Sequence, residues 1–146
     1  MNKPDSIKMF DRLFWASTVI GALNFLFGFN QTSKKLANNP ELASAGFGMG
    51  FVVTIFIISI MLNILIWYFI SVRASKIAKW ILIVFFVIGL LSIIRNFNSP
   101  FAPQGLAFGV MMVLTVLQGA GVYMLFRSDA IGWFNGKRPV DPEIFR

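Results

Sequence analysis

The fold of this chain follows from residues 47–72, which read FGMGFVVTIFIISIMLNILIWYFISV. All 26 residues are uncharged, and most of them are apolar. Because a helix rises 1.5 Å per residue, about 20 apolar residues cross the roughly 30 Å hydrocarbon layer of a membrane. The stretch therefore predicts a transmembrane helix, and its excess length predicts that this helix tilts or protrudes.

Three further apolar runs predict three more transmembrane helices: residues 13–29, 77–94 and 106–126. The connection at residues 73–76 is so short that the second and third helices must form an antiparallel hairpin. Pro100 and Pro103 forbid a continuous helix between the third and fourth runs. We therefore predict an all-α fold, a single integral membrane bundle of four transmembrane helices arranged as two antiparallel hairpins.

The composition supports this class and excludes several kinds of chemistry. Hydrophobic residues make up 57% of the chain and charged residues 13%, whereas soluble proteins average about half and a quarter. The chain has no Cys and no His, which excludes disulfides, thiol nucleophiles, Cys/His zinc sites and Ser-His-Asp catalysis. We predict no catalytic residue, no metal ligand and no cofactor.

The first apolar run could instead belong to a signal peptide, because Ala43-Ser44-Ala45 has the pattern of a cleavage site. This tripeptide lies far beyond Phe29, across a polar stretch rich in Asn and Lys. We therefore favour a retained first helix.

The basic residues predict the orientation. One side of the membrane receives three cations, namely Lys34, Lys35 and Arg95. The other side receives ten: Lys3, Lys8, Arg12, Arg73, Lys76, Lys79, Arg127, Lys137, Arg138 and Arg146. By the positive-inside rule both termini are predicted to face the cytoplasm. Anionic lipid and membrane insertion account for the net charge of +7, so no nucleic-acid partner is predicted.

Three carboxamide side chains are predicted to share a layer near the middle of the membrane. Asn24 is 12 residues past Arg12, Asn63 is 10 before Arg73, and Gln118 is 9 before Arg127. These separations correspond to depths of about 13–18 Å. The layer either joins helices through hydrogen bonds or forms a small polar site for a neutral solute, an ion or a lipid headgroup.

Two Gly-x-x-x-Gly patterns predict close helix packing. Gly46 and Gly50 precede and begin the second helix, and Gly105 and Gly109 do the same for the fourth. Such spacing places both glycines on one helix face, which lets another backbone approach. The second and fourth helices are expected to touch there, or either one to contact another protein.

Serines are expected to cap helices at both ends of the chain. Ser6 is a candidate cap for the first helix, and Ser128 for a short helix in the cytoplasmic tail, residues 127–146. Asp129 falls in the first turn of this tail helix, and Asn135-Gly136 is its predicted stop. The tail is either an interfacial anchor or a docking site for a cytoplasmic partner.

Three segments resemble a widespread group of small bacterial membrane proteins with four predicted helices. The segments are PDSIKMFDRLF at 4–14, LIWYFI with RASKIAKW within 65–80, and LFRSDA with WF within 125–134. The group has no assigned activity, so the resemblance implies inner-membrane placement and no site. It directs attention to eight residues at the cytoplasmic edge, called the rim below: Arg12, Arg73, Lys76, Lys79, Trp80, Arg127, Asp129 and Trp133.

These observations favour a non-enzymatic accessory or scaffold protein, as a homo-oligomer or as a subunit of a larger membrane complex. Its expected partners are membrane lipids and other membrane protein subunits or further copies of itself. The alternative is a small transporter or channel for a neutral solute or an ion that uses the carboxamide layer. An enzyme is not expected, because its candidate carboxylates, Asp11 and Asp129, are expected to pair with Arg12 and Arg127 or to favour helix starts. A helix start would lower the proton affinity of Asp129, which is unsuitable for a general acid.

Overall fold

The computed structural model describes residues 3–38, 46, 48–95 and 105–136. These residues are 87% helical, with five helices and no strand. The helices are α1 (Asp5–Ala37), α2 (Met49–Ser71), α3 (Lys76–Arg95), α4 (Leu106–Met124) and α5 (Ser128–Phe134). The first four are long and apolar enough to span a membrane, which confirms the predicted all-α class and its four spans.

The apolar runs predict α2, α3 and α4 to within about two residues at each end. The difference is α1, which has 33 residues and is about 50 Å long. It continues beyond Phe29 through a polar stretch expected to be a loop, because Gln31, Lys34 and Lys35 are good helix formers. The candidate cleavage site at 43–45 and the tail beyond residue 136 lie outside the described residues.

The long helices neighbour one another in chain order around the bundle. α1 packs against α2 and α4, and α3 packs against the same two helices. The α1–α4 seam is the most extensive, and Gly121 lies buried within it. A Cβ atom on Gly121 would lie 3.7 Å from Phe10 Cδ2 and 3.9 Å from Leu13 Cβ. The absence of a side chain on this residue therefore allows the two helices to approach closely.

The tightest packing lies at one end of the bundle, called the closed end below. It comprises the start of α1, the end of α2, the start of α3, the end of α4, and α5. The fully buried apolar side chains are all here: Ile7, Phe10, Ile70, Leu125 and Ala130. Away from this end the helices expose large apolar side chains such as Phe27 and Ile94, as lipid-facing surfaces do.

Aromatic contacts show how α1 and α2 are aligned. Near the closed end, Trp67 Nε1 donates a 2.8 Å hydrogen bond to Asp11 Oδ1. Further along, the rings of Phe25 and Phe56 stack with centroids 3.9 Å apart. Residue 11 of α1 therefore lies at the level of residue 67 of α2, well inside the edge marked by Arg73.

The two predicted serine caps are wrong. α1 begins after Pro4, whose fixed φ suits a helix start, and Ser6 lies inside the first turn. α5 begins at Ser128 itself, with Arg127 as the preceding cap residue and no side-chain cap hydrogen bond. The predicted stop is confirmed, because α5 ends at Phe134 and Gly136 takes a positive φ of 69°.

Candidate functional site

A polar cluster joins the start of α1 to the end of α2 at the closed end. Lys3 Nζ donates hydrogen bonds to Asp11 Oδ2 at 3.0 Å and to Ser71 Oγ at 2.6 Å. Trp67 Nε1 donates its hydrogen bond to the other oxygen of the same carboxylate. Asp11 therefore pairs with Lys3. The sequence had suggested its neighbour Arg12 as the partner. Lys3 and Ser71 are 68 residues apart, so no local pattern marks them as partners.

A second cluster joins α5 to the start of α1. The Ser6 backbone N–H donates to Asp129 Oδ2 at 3.1 Å, and the Ser6 hydroxyl donates to Asp129 Oδ1. The hydroxyl of Ser6, with backbone N–H groups, holds the pKa of Asp129 below its ordinary value, while partial burial opposes this. The expected direction is confirmed, but its main cause is Ser6 and not the helix start.

Asp129→Asn should reduce the pH dependence of stability. A lowered folded-state pKa stabilises the fold above the unfolded pKa of about 4, and this stabilisation is lost as the pH falls through the folded value. The contribution should be below about 1 kcal/mol, because the carboxylate is partly exposed. Thermal unfolding in detergent at pH 7 and pH 3.5 measures it. The matched control is Asp5→Asn, whose side chain is 93% exposed. An unchanged pH slope in Asp129→Asn would contradict the assigned role.

Lys79 joins α3 to α4 and α5. Its Nζ donates to the carbonyl oxygen of Leu125 at 3.0 Å and lies 4.1 Å from the ring centroid of Phe126 and 5.3 Å from that of Phe134. A lysine here satisfies a carbonyl at the end of α4 and gains cation–π attraction. Lys79 therefore connects α3 to α4 and α5 and is not a free surface cation.

The other basic residues of the rim are exposed. Arg12, Arg73, Lys76 and Arg127 all lie on the outside of the closed end, as does the ring of Trp80. Trp133 is half-buried, and its Nε1 is buried without a hydrogen-bond partner in the described part of the chain. The rim thus divides into side chains that hold the closed end together and cations that remain accessible.

Two of the three predicted carboxamides line the same cavity within the bundle. The cavity has a volume of about 420 Å³ and lies between all four long helices, with Asn63 and Gln118 in its wall. Asn24 is half-buried and is not among the lining residues. Counting from Arg12 and Arg73 placed the helices at one level, whereas the Asp11–Trp67 contact aligns them differently. Asn24 consequently lies further from the closed end.

The polar lining comes mostly from hydroxyl groups that sequence reasoning did not identify. Ser17 and Thr18 both donate to the carbonyl of Phe14 at 2.9 Å, and Ser59 donates to Ile55 at 3.2 Å. Isolated hydroxyl groups in apolar helices usually donate to the backbone of their own helix. Their presence in the sequence therefore did not indicate a cavity.

Among the described residues, neither Asn63 nor Gln118 makes a hydrogen bond to another helix, which was one of the two interpretations of the carboxamide layer. Asn63 Nδ2 donates to the carbonyl of Ser59 in its own helix at 2.9 Å. No hydrogen-bond partner for Gln118 is found among the residues that the structure describes. Gly89 of α3 is exposed and does not line the cavity.

The glycines of the Gly-x-x-x-Gly patterns do not lie at a contact between α2 and α4 in the described structure. All four are exposed, and a Cβ atom on any of them would meet nothing within 4 Å in the described structure: Gly46, Gly50, Gly105 and Gly109. Gly46, three residues before α2, and Gly105, directly before α4, take positive φ angles of 78° and 59°, at which glycine costs little strain. Packing of these glycines against another protein stays a prediction.

These features define a class: a four-helix bundle of the multi-pass membrane type, closed at one end and with a cavity inside its span region. Among the described residues, no group of three His, Cys, Asp or Glu side chains is placed to hold a metal ion. No family model, no curated protein and no solved structure matches the chain.

Proposed function

We propose that this chain is a non-enzymatic accessory or scaffold protein of the bacterial inner membrane that binds a membrane protein partner, or a second copy of itself, through the rim. The observation that carries the proposal is the construction of the closed end. Three tertiary contacts tie its elements together: Lys3 to Ser71, Ser6 to Asp129, and Lys79 to Leu125. The exposed cations of the rim lie on the outside of the closed end, which these contacts stabilise.

The accessible cations favour an acidic partner surface. Neither Arg12 nor Lys76 has an ion-pair partner among the described residues, and both are exposed. Unpaired cations at a membrane surface attract anionic headgroups and acidic patches of proteins. Trp80, one helical turn after Lys76, is 59% exposed. Tryptophan is a residue type that is enriched in protein interfaces.

The charge distribution supports an orientation with both termini in the cytoplasm. Ten Lys and Arg residues fall near the closed end or in the terminal segments, and three fall near the opposite end. This asymmetry is typical of inner-membrane proteins with the basic side inside.

Purification from native membranes in a mild detergent tests the proposal. We expect a particle larger than the monomer, containing either a stoichiometric partner or a second copy. Combined reversal of Arg12, Arg73 and Lys76 to Glu should reduce the associated protein about tenfold, because like charges then face each other. The matched control reverses Lys34 and Lys35, which are exposed at the opposite end of α1. A strictly monomeric particle, or equal losses in both variants, would contradict the proposal.

The cavity supports a second candidate, a small transporter or channel for a neutral solute or an ion. Asn63 and Gln118 both line it, together with the hydroxyl groups of α1 and α2. Flux into liposomes tests this candidate, with Asn63→Leu and Gln118→Leu expected to reduce the rate. Flux that is unaffected by both changes would exclude the carboxamides from a pathway.

A further inference from the structure

We infer that the cavity is a binding site for an uncharged single-chain lipid whose headgroup carries hydroxyl groups. This inference is independent of the proposed partner at the rim. It uses the walls, the size and the hydrogen-bonding capacity of the cavity.

The walls select an uncharged and largely apolar ligand. No Asp, Glu, Lys or Arg is among the described residues that line the cavity. Five aromatic rings contribute to the walls: Phe10, Phe14, Phe56, Phe85 and Phe86. Moving an ion from water into this cavity costs free energy, and no opposite charge in the walls offsets that cost. A charged headgroup is therefore disfavoured.

The size and position favour one chain from the surrounding lipid. A volume of about 420 Å³ falls at the lower end of the range for sites of small ligands, about 300–1,000 Å³. The cavity is partly open to the outside of the bundle, and Leu62 of α2 and Phe85 of α3, which line it, are 45% and 53% exposed. Toward the closed end it meets the buried side chains Phe10 and Ile66. The cavity is therefore a partly open pocket between the helices.

The hydrogen-bonding pattern selects hydroxyl groups. Ser17, Thr18 and Ser59 each donate their only proton to a carbonyl of their own helix, which leaves the hydroxyl oxygens free to accept. Asn63 and Gln118 each add a carbonyl oxygen, and Asn63 has already used one N–H. The cavity therefore offers five side-chain oxygens as acceptors but donors from only two carboxamides. A ligand that donates hydrogen bonds, such as an alcohol, complements it better than a ligand that only accepts them.

Binding of radiolabelled monooleoylglycerol to the full chain in mild detergent tests this inference. Saturable binding of one molecule per chain is expected. Methyl oleate has the same acyl chain and an ester that only accepts hydrogen bonds, and oleate has the same chain and a negative charge. Both should compete at least about threefold less well, which corresponds to the loss of one net hydrogen bond.

Two variants and their matched controls locate the binding. Ser59→Phe fills the cavity and should weaken binding at least tenfold, whereas Ile58→Phe adds a ring at the adjacent exposed position and should not. Asn63→Leu keeps the branched shape of the side chain but removes the carboxamide, so binding should weaken about threefold to tenfold. Its control is Thr54→Leu, because Thr54 also bonds a carbonyl four residues earlier but does not line the cavity.

The thermal unfolding midpoint of each variant establishes that it folds. Loss of binding in Ser59→Phe and Asn63→Leu, with both controls intact, would support the cavity as the site. Equal binding by wild type and Ser59→Phe would place the lipid on the outer surface and overturn the inference. Equal competition by the alcohol, the ester and the carboxylate would overturn the hydroxyl preference. Because the rim variants leave the cavity intact, they should bind the lipid normally, which separates this result from the test of the proposed function.

Discussion

Replacement of Gly121 by Leu should lower the free energy of unfolding by about 2 kcal/mol. Gly121 lies in the α1–α4 seam, where even a Cβ atom would be 3.7 Å from the ring of Phe10. An added Cβ is in ordinary van der Waals contact, but the further atoms of Leu have no space unless the helices separate. The measurement is reversible unfolding in mixed micelles, followed by circular dichroism.

Gly109→Leu is the matched control in the same helix. A Cβ atom at Gly109 would meet nothing within 4 Å, and the residue is exposed. Leu is a better helix former than Gly by about 0.5–1 kcal/mol, so this variant should be neutral or slightly stabilised. Gly121→Ala should fall between the two. Equal effects of Leu at both positions would contradict the packing assigned to the seam.

Phe10→Ala should destabilise the fold by about 3 kcal/mol. Phe10 is 1% exposed, packs against Phe14 with ring centroids 5.6 Å apart, and forms part of the cavity wall. Truncation to Ala removes its dispersion contacts and enlarges the existing cavity, because the surrounding helices are held by their ties at the closed end.

The matched control for this change is Phe27→Ala on the same helix. Phe27 is 83% exposed, so its truncation should change the free energy of unfolding by no more than about 0.5 kcal/mol. The same mixed-micelle titration compares the two variants. A similar loss for both phenylalanines would mean that the closed end is no better packed than the lipid-facing surface.

The sequence predicted the fold class because transmembrane helices are specified locally. The apolar runs at 47–72, 77–94 and 106–126 have 26, 18 and 21 residues, close to or above the roughly 20 that a membrane requires. The helices end close to the charged or glycine residues that flank these runs. The length of α1 was underestimated because hydropathy falls after Phe29, whereas helix propensity does not.

The alignment of the helices could not be read from hydropathy or charge. Counting residues from Arg12 and Arg73 assumed that both mark one level, but the carboxylate of Asp11 lies beside Trp67. This pairing depends on side chains 56 residues apart, so it is a property of the packed bundle. Asn63 and Gln118 both line the cavity, whereas Asn24 is not among its lining residues.

The serines were misread for a related reason. A serine near a helix start is usually a cap, but the hydroxyl of Ser6 is used by Asp129 from the other end of the chain. Ser17 and Ser59 bond their own helices, and no local motif marked them as parts of a cavity wall. Tertiary contacts gave these side chains roles that short-range patterns do not encode.

Photo-crosslinking in native membranes tests the central claim, that the exposed rim binds a partner, most directly. Benzoylphenylalanine is introduced at Arg73, in the rim, and separately at Lys34, at the opposite end of the bundle. Both residues are exposed, so the probe should be tolerated at either position. We expect a discrete covalent adduct with a membrane protein or a second copy from position 73 and none from position 34. No protein adduct from position 73, or equal adducts from both positions, would contradict it.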